Sequence, residues 1–237
     1  LIDEETALVC ASYVCYRHGS RQDIKAITKK AHEKGALMMV DAFQALGTFP
    51  IDVKDLGVDF LVGGVLKYLL GTAGVAMLYA RGDLIQGLTP VHTGWFAQED
   101  VHAMRIDAHT PSSTASRFEA GTPPVPSLYG AIAGLEIIHE VGTAAIRNHV
   151  LGLHDALIDG LDDLGATLVT PRDASKRGAM LAVKSNDEHR LVAQLESAGI
   201  VTSCRDGNLR LSPHFYNNSQ DLEMLFEQLS SCRDLLA

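Results

Sequence analysis

The chain has little of what would mark a secreted, nucleic-acid-binding or membrane-bound protein. Its four cysteines, Cys10, Cys15, Cys204 and Cys232, form no C-x-x-C pair and no His/Cys cluster at zinc spacing. No zinc-type metal site is therefore expected, and reduced thiols in a cytoplasmic setting are the default reading. Basic residues are scarce too: 20 Lys and Arg against 29 Asp and Glu leave a formal net charge of −9. A chain of that sign lacks the basic footprint that a phosphate backbone requires, and no Lys/Arg cluster stands out to hold an anionic lipid surface. Neither nucleic acid nor membrane is an expected partner. Long apolar runs are missing as well. A membrane span needs about 18 residues, and the segment 60–66 is among the longest here. What is present is length and apolar content: 237 residues, 46% hydrophobic and 21% charged, are enough to bury a sizeable core.

Short apolar runs alternate with amphipathic stretches. Residues 7–14 read as a strand, followed by a polar break at 17–20. Residues 23–34 carry Ile24, Ile27 and Ala31 at helical spacing, with Gly35 as a stop. Residues 36–40 then form a continuous apolar run ending at Asp41, and 60–62 and 75–79 continue the pattern on either side of Lys67. Runs apolar on both faces and separated by a helix indicate parallel strands between helical layers. From 84 to 116 the periodicity fades, which predicts a functional loop rather than a plain connector. Residues 127–164 carry helical spacing with a break at Gly142-Thr143. Beyond them come strands at 167–170, 179–183, 200–202 and 209–211, and helices at 188–198 and 219–236, which together read as a small α+β domain.

Two residues carry the chemistry. Asp41 stands at the carboxyl end of a buried strand, where open α/β sheets place ligands; taken singly it is equally a cap or turn residue. Lys67 lies in apolar, glycine-containing surroundings (Gly63-Gly64-Val65-Leu66 before it), which disfavour its charged form and suit imine formation with an aldehyde; taken singly, a lysine snorkelling from a strand end is the commoner reading. Together they match what pyridoxal phosphate chemistry needs: an amine to hold the aldehyde and a carboxylate to keep the pyridine nitrogen protonated. Gln44, three residues after Asp41, offers an amide to the ring's phenolic oxygen.

At this point a resemblance becomes specific. The segments Ala31-His32-Glu33-Lys34-Gly35-Ala36, Val40-Asp41-Ala42-Phe43-Gln44-Ala45-Leu46-Gly47, Pro50-Ile51-Asp52-Val53, Leu56-Gly57-Val58-Asp59-Phe60-Leu61, Lys67-Tyr68-Leu69-Leu70-Gly71 and Gly74-Val75-Ala76-Met77-Leu78-Tyr79 occur in order. They resemble the class V aminotransferase family of fold-type I enzymes, which includes cysteine desulfurases, selenocysteine lyases, kynureninase and isopenicillin N epimerase. The resemblance implies an α/β three-layer large-domain portion with a mainly parallel sheet, plus a small C-terminal α+β domain. Its expected divisions are 1–140 for the cofactor-binding part, 141–165 for a connecting helix and 166–237 for the small domain. It implies pyridoxal 5'-phosphate as cofactor, with Lys67 forming the imine, Asp41 on the pyridine nitrogen and Gln44 on the phenolic oxygen. Phe118-Glu119-Ala120-Gly121-Thr122-Pro123 is similar to the family segment whose Gly-Thr, here Gly121 and Thr122, reaches the phosphate of a neighbouring subunit, which implies a homodimer. Leu209-Arg210-Leu211-Ser212-Pro213 looks like the strand whose arginine, here Arg210, grips the substrate carboxylate.

The implied activity is that of a transaminase or lyase acting on an amino acid through an external aldimine and chemistry at Cα or Cβ. The alternatives are a cysteine desulfurase or selenocysteine lyase, a kynureninase-type hydrolase, and, from another class, a catalytically silent fragment or binding module. The departures bear on these choices. Gly64, Val65 and Leu66 replace the Ser and His that the family often has before its lysine. Cys204 reads as a strand-to-turn residue rather than the mobile-loop thiol of a desulfurase. Trp95 is a candidate pocket residue and equally a packing residue against the small domain, while His92, His102 and His109 read as solvated loop histidines. The first matched strand begins within ten residues of Leu1, whereas the family carries a substantial portion before it, including the glycine-rich turn that cradles the phosphate. The resemblance therefore implies a chain short of its N-terminal part.

Overall fold

The computed structural model describes residues 1–237. The chain divides into two compact units. One comprises Leu1–Ala11, Asp23–Phe43 and Asp52–Glu136; the other comprises Ser12–Gln22, Gln44–Ile51 and Ile137–Ala237.

The first unit is built on a four-stranded sheet of order β1-β2-β3-β4, with β1 at Leu8–Ser12, β2 at Leu37–Asp41, β3 at Phe60–Gly64 and β4 at Ala76–Ala80. Helix α1 (Ile24–Glu33) leads into β2. The Asp23 carboxylate accepts the Ala26 N–H and caps it, and Ile24, Thr28 and Ala31 bury one stripe at helical spacing. Its bounds agree with the expected 23–34. A short helix α2 (Val53–Leu56), capped by Asp52, leads into β3, which runs parallel to β2 with Asp41 opposite Val62.

Strand β4 runs antiparallel to β3 from Phe60↔Ala80 to Gly64↔Ala76. The connection 65–75 is too short for the crossover that a parallel neighbour needs. The two strands also protrude differently. Ala76, Met77 and Leu78 are exposed, whereas β3 has Leu61, Gly63 and Gly64 buried.

Asp59, just before β3, is fully buried. Its Oδ2 accepts the Met38 N–H at 2.6 Å and lies 2.8 Å from His32 Nε2, and its Oδ1 pairs with Arg81 at 2.5 Å. One carboxylate thus fastens α1, the start of β2 and the end of β4. Beyond β4 the chain forms a short helix α3 (Gly82–Ile85) and three single turns of 3₁₀ helix within the aperiodic stretch. Buried Arg117 fastens that stretch, donating to the carbonyls of Ser112 and Leu88 at 2.7 Å each and to that of Ile85.

The expected break at Gly142 separates α4 (Val125–Val141) from α5 (Thr143–Asp163). The rest of the second unit packs α5, α6 (Glu188–Ser197) and α7 (Ser219–Ser231) against a three-stranded antiparallel sheet. That sheet has order β5-β7-β6, with β5 at Leu181–Lys184, β6 at Ser203–Arg205 and β7 at Asn208–Leu211. Its core joins Leu153, Leu157 and Leu161 to Leu181, Leu191, Leu209 and Leu229.

Two expected strands differ. Residues 167–170 make only an isolated bridge from Leu168 to Val183, and 200–202 is not a strand. Pairing with β7 begins at Ser203 instead, because Asp206 and Gly207 both adopt positive φ (52° and 74°), the two-residue hairpin turn that sets Arg205 opposite Asn208. His154 on α5 is fully buried. Its Nε2 meets the Ala179 carbonyl at 3.0 Å and its Nδ1 faces Arg177 Nε at 3.3 Å; burial pushes its pKa down to about 4. No helix is long and apolar enough to cross a membrane.

Candidate functional site

The first unit brings together the two residues singled out for chemistry. Four apolar positions of β2 end at Asp41, whose exposed carboxylate accepts the N–H of Phe43 through Oδ1 at 2.9 Å. That local bond holds the side chain in an Asx-type turn at the strand end. The Ala42 N–H donates to the Val62 carbonyl at 2.8 Å, so the segment leaving β2 stays tied to its parallel neighbour.

Lys67 lies on the turn that follows β3. Two backbone bonds close this turn, Leu70 N–H to Lys67 O at 3.0 Å and Gly71 N–H to Val65 O at 2.8 Å, with Leu70 held at φ 58°. Helix α4 lies directly against it. A Cβ on Gly134 would stand 2.4 Å from the Leu69 carbonyl oxygen, so only glycine permits this approach. The Lys67 ammonium rests 4.8 Å from the centroid of the Phe43 ring. Asp41, Phe43 and Lys67 therefore form one connected group at the carboxyl ends of β2 and β3.

Gly121 and Thr122 lie in the same unit, on the segment entering α4. Thr122 is exposed, and a Cβ on Gly121 would sit 3.6 Å from Trp95 Nε1. Trp95 packs edge-on against Phe96 with ring centroids 4.5 Å apart. His92, His102 and His109 are exposed, and His109 Nε2 lies 3.0 Å from Thr93 Oγ1.

The remaining expected residues belong to the second unit. Gln44 follows Phe43 in the chain and is half-buried. Arg210 sits on β7 opposite Ser203. Its Nε and Nη2 donate to Ser203 Oγ at 3.2 and 3.0 Å, and its Nη1 donates to the Tyr16 carbonyl at 2.8 Å, which orients the guanidinium fork. Cys204 is buried on β6, with Sγ 3.5 Å from His189 Nδ1.

Sequence reasoning missed Phe43, Asp59 and Arg117. Phe43 and Asp59 stand inside the motifs quoted for the resemblance, but nothing in spacing shows that a phenyl ring lies under the lysine. An arginine amid the Ser and Thr of a loop (Pro111-Ser112-Ser113-Thr114-Ala115-Ser116-Arg117) is the one signal that could have marked Arg117 as a carbonyl-binding brace.

The chain belongs to the aminotransferase class-V family, whose profile matches residues 1–225. It is 35% identical over 230 residues to an uncharacterized aminotransferase, YcbU, of Bacillus subtilis, an alignment covering 97% of this chain and 60% of that protein. It is 30% identical over 210 residues to kynureninase of Pseudomonas fluorescens, covering 86% of this chain and 50% of that one. Among solved structures, the apo cysteine desulfurase of Thermococcus onnurineus superposes with a TM-score of 0.87 at 26% identity, covering 96% of this chain and 60% of that chain. The chain thus spans about 50 to 60% of the length of these relatives.

Proposed function

We propose that the chain is part of a pyridoxal 5'-phosphate-dependent transferase or lyase acting on an amino acid. The observation that carries the reading is the group at the ends of β2 and β3: a strand-end carboxylate oriented by Phe43 N–H and a primary amine on the adjoining turn. Their chemistry suits the cofactor. Lys67 Nζ is a primary amine able to hold an aldehyde, and Asp41 is a carboxylate able to accept a pyridinium N–H. Gln44 would accompany Asp41, and Arg210, its fork oriented by Ser203 and Tyr16, would take the substrate carboxylate through paired N–H donors. When bound, the cofactor supplies an electron sink for charge developing at the substrate Cα. Within that scheme Lys67 Nζ takes the Cα proton and can return it, and Asp41 keeps its partner nitrogen protonated. The names of the relatives, an aminotransferase, a kynureninase and a cysteine desulfurase, share this opening and part afterwards. Cys204 does not favour the desulfurase branch, since it is buried on a strand rather than carried on an exposed loop.

A homodimer belongs to the same reading. Helix α4 exposes Val125, Tyr129 and Ile132 along one stripe, immediately after Thr122, and a second copy would cover them. A cytoplasmic setting belongs to it too, supported by the four free thiols.

The test is an absorbance titration of the purified chain with pyridoxal phosphate, followed by borohydride reduction and peptide mass spectrometry. The expected result is an imine band and a reduced adduct on Lys67, both lost in Lys67→Ala. A band that persists unchanged in that variant would refute the assignment.

A further inference from the structure

We propose that Phe43 is a positioning residue that places both Lys67 and Asp41, through its ring face for the amine and its backbone N–H for the carboxylate. This rests on the reading of those two residues as the cofactor-facing pair.

Three observations carry it. The Lys67 ammonium stands over the Phe43 ring at 4.8 Å from its centroid, inside the roughly 6 Å reach within which a ring's negative face attracts a cation. The ring is held where it is by what lies beneath it. A Cβ built on Gly64 would be 2.3 Å from Phe43 Cζ and 2.6 Å from Cε2, so the ring fills the space that any side chain at that position would use. Gly64 is itself buried and paired with Ala76 in the sheet, and cannot move aside without breaking β3–β4. The backbone of Phe43 is anchored too. The preceding Ala42 N–H is bonded to Val62, and Phe43's own N–H is bonded to Asp41 Oδ1 at 2.9 Å. Gly64 and Phe43 are therefore a complementary pair: the missing side chain on β3 makes room for the ring that steadies the amine a turn later. A residue of similar apolar volume without an aromatic face would keep the packing and the Asp41 bond, yet remove the ring-face contact to Lys67.

The cofactor-free chain tests this. Lys67 is acetylated with limiting N-hydroxysuccinimidyl acetate at fixed pH, its rate being referenced to exposed Lys54 in the same sample by peptide mass spectrometry. Since the reagent attacks only the neutral amine, Phe43→Leu is expected to raise the Lys67-to-Lys54 ratio about two- to five-fold, as loss of a cation–π contact predicts. Incorporating 2,6-difluorophenylalanine at 43 puts the fluorines on the Cδ carbons, away from the Cζ–Cε edge that faces Gly64, while depleting the ring face, and is expected to give a smaller rise. Gly64→Ala, which displaces the ring, is expected to match Phe43→Leu, and the double variant to go no further. A difluoro chain that labels as wild type overturns the proposal, whether or not Phe43→Leu folds. So does a Gly64→Ala effect that adds fully to that of Phe43→Leu. If the ratios move as stated while the wild-type chain takes up no pyridoxal phosphate, the Phe43–Lys67 coupling stands and the functional reading falls.

Discussion

At the scale of single residues, the second unit holds an acid-sensitive group that is none of the residues expected to carry chemistry. His154 is fully buried, and burial lowers its pKa from 6.5 to about 4. It stays neutral at pH 7, with Nε2 protonated toward the Ala179 carbonyl and Nδ1 accepting from Arg177. Because the folded pKa is depressed, the unfolded chain takes up a proton as pH falls through 6.5, while the folded chain does so only near 4. Stability contributed by the neutral ring is complete above pH 6.5 and falls away between there and 4, by up to about 3 kcal/mol. Urea midpoints should therefore drop on acidification from pH 7 to 4.5, and part of that slope should vanish in His154→Leu. An unchanged slope in the variant would show that His154 does not titrate with folding. Nothing in the residue pattern marks this, since a histidine on an apolar helical stripe carries no sign telling a buried neutral ring from a half-exposed one. Arg177, which meets its Nδ1, lies beyond the end of α5, in a segment where no periodicity points to contact.

At the scale of elements, local rules were legible and pairings were not. Asp23 and Gly35 bracket α1, and Gly142 separates α4 from α5, because caps and stops act within a few residues. The placement of β6 was missed by three residues, although Asp206-Gly207 is a hairpin signal; the apolar run Ile200-Val201 drew the strand toward itself, whereas the turn geometry puts pairing at Ser203. The reversed direction of β4 follows from its short connection, a constraint of chain length rather than of residue type. For the candidate site, Asp41 and Lys67 stood out by position, but the phenyl ring joining them is a through-space relation with no periodic trace. Asp59 is the same kind of case at element scale, one buried carboxylate joining α1, β2 and β4. Removing it strands the buried Met38 N–H and leaves Arg81 with Asp83 as its remaining carboxylate, so Asp59→Ala is expected to cost about 2 kcal/mol in urea unfolding. Asp59→Asn, which keeps an acceptor for Met38, should recover part of that loss. Equal losses in the two variants would mean that the charge, rather than the acceptor, does the fastening.

At the scale of the whole molecule, α4 is the element least explained by the chain that carries it. Its inner side is specified closely: Gly134 admits the Leu69 carbonyl and Ala131 is buried, so the helix is pressed onto the turn bearing Lys67. Its outer side leaves Val125 at 48%, Tyr129 at 72% and Ile132 at 51% exposure, which is apolar surface set where a charged face would be expected on a solvated helix. Large side chains of this kind contribute roughly 1.5–3 kcal/mol each when buried, enough together to make self-association worthwhile. If a second copy covers the stripe, Ile132→Glu should convert a dimer to a monomer in sedimentation velocity, because an uncompensated carboxylate would be desolvated at each of two symmetric contacts. The effect on the site discriminates further. Ile132 lies on the face away from the Lys67 turn, so the Lys67-to-Lys54 acetylation ratio should stay at its wild-type value in the monomeric variant, while any phosphate contact made by Thr122 across the interface would be lost and cofactor affinity would fall. A variant that remains dimeric would assign the stripe to some other cover, and a monomer with undiminished cofactor affinity would remove Thr122 from the neighbour's site.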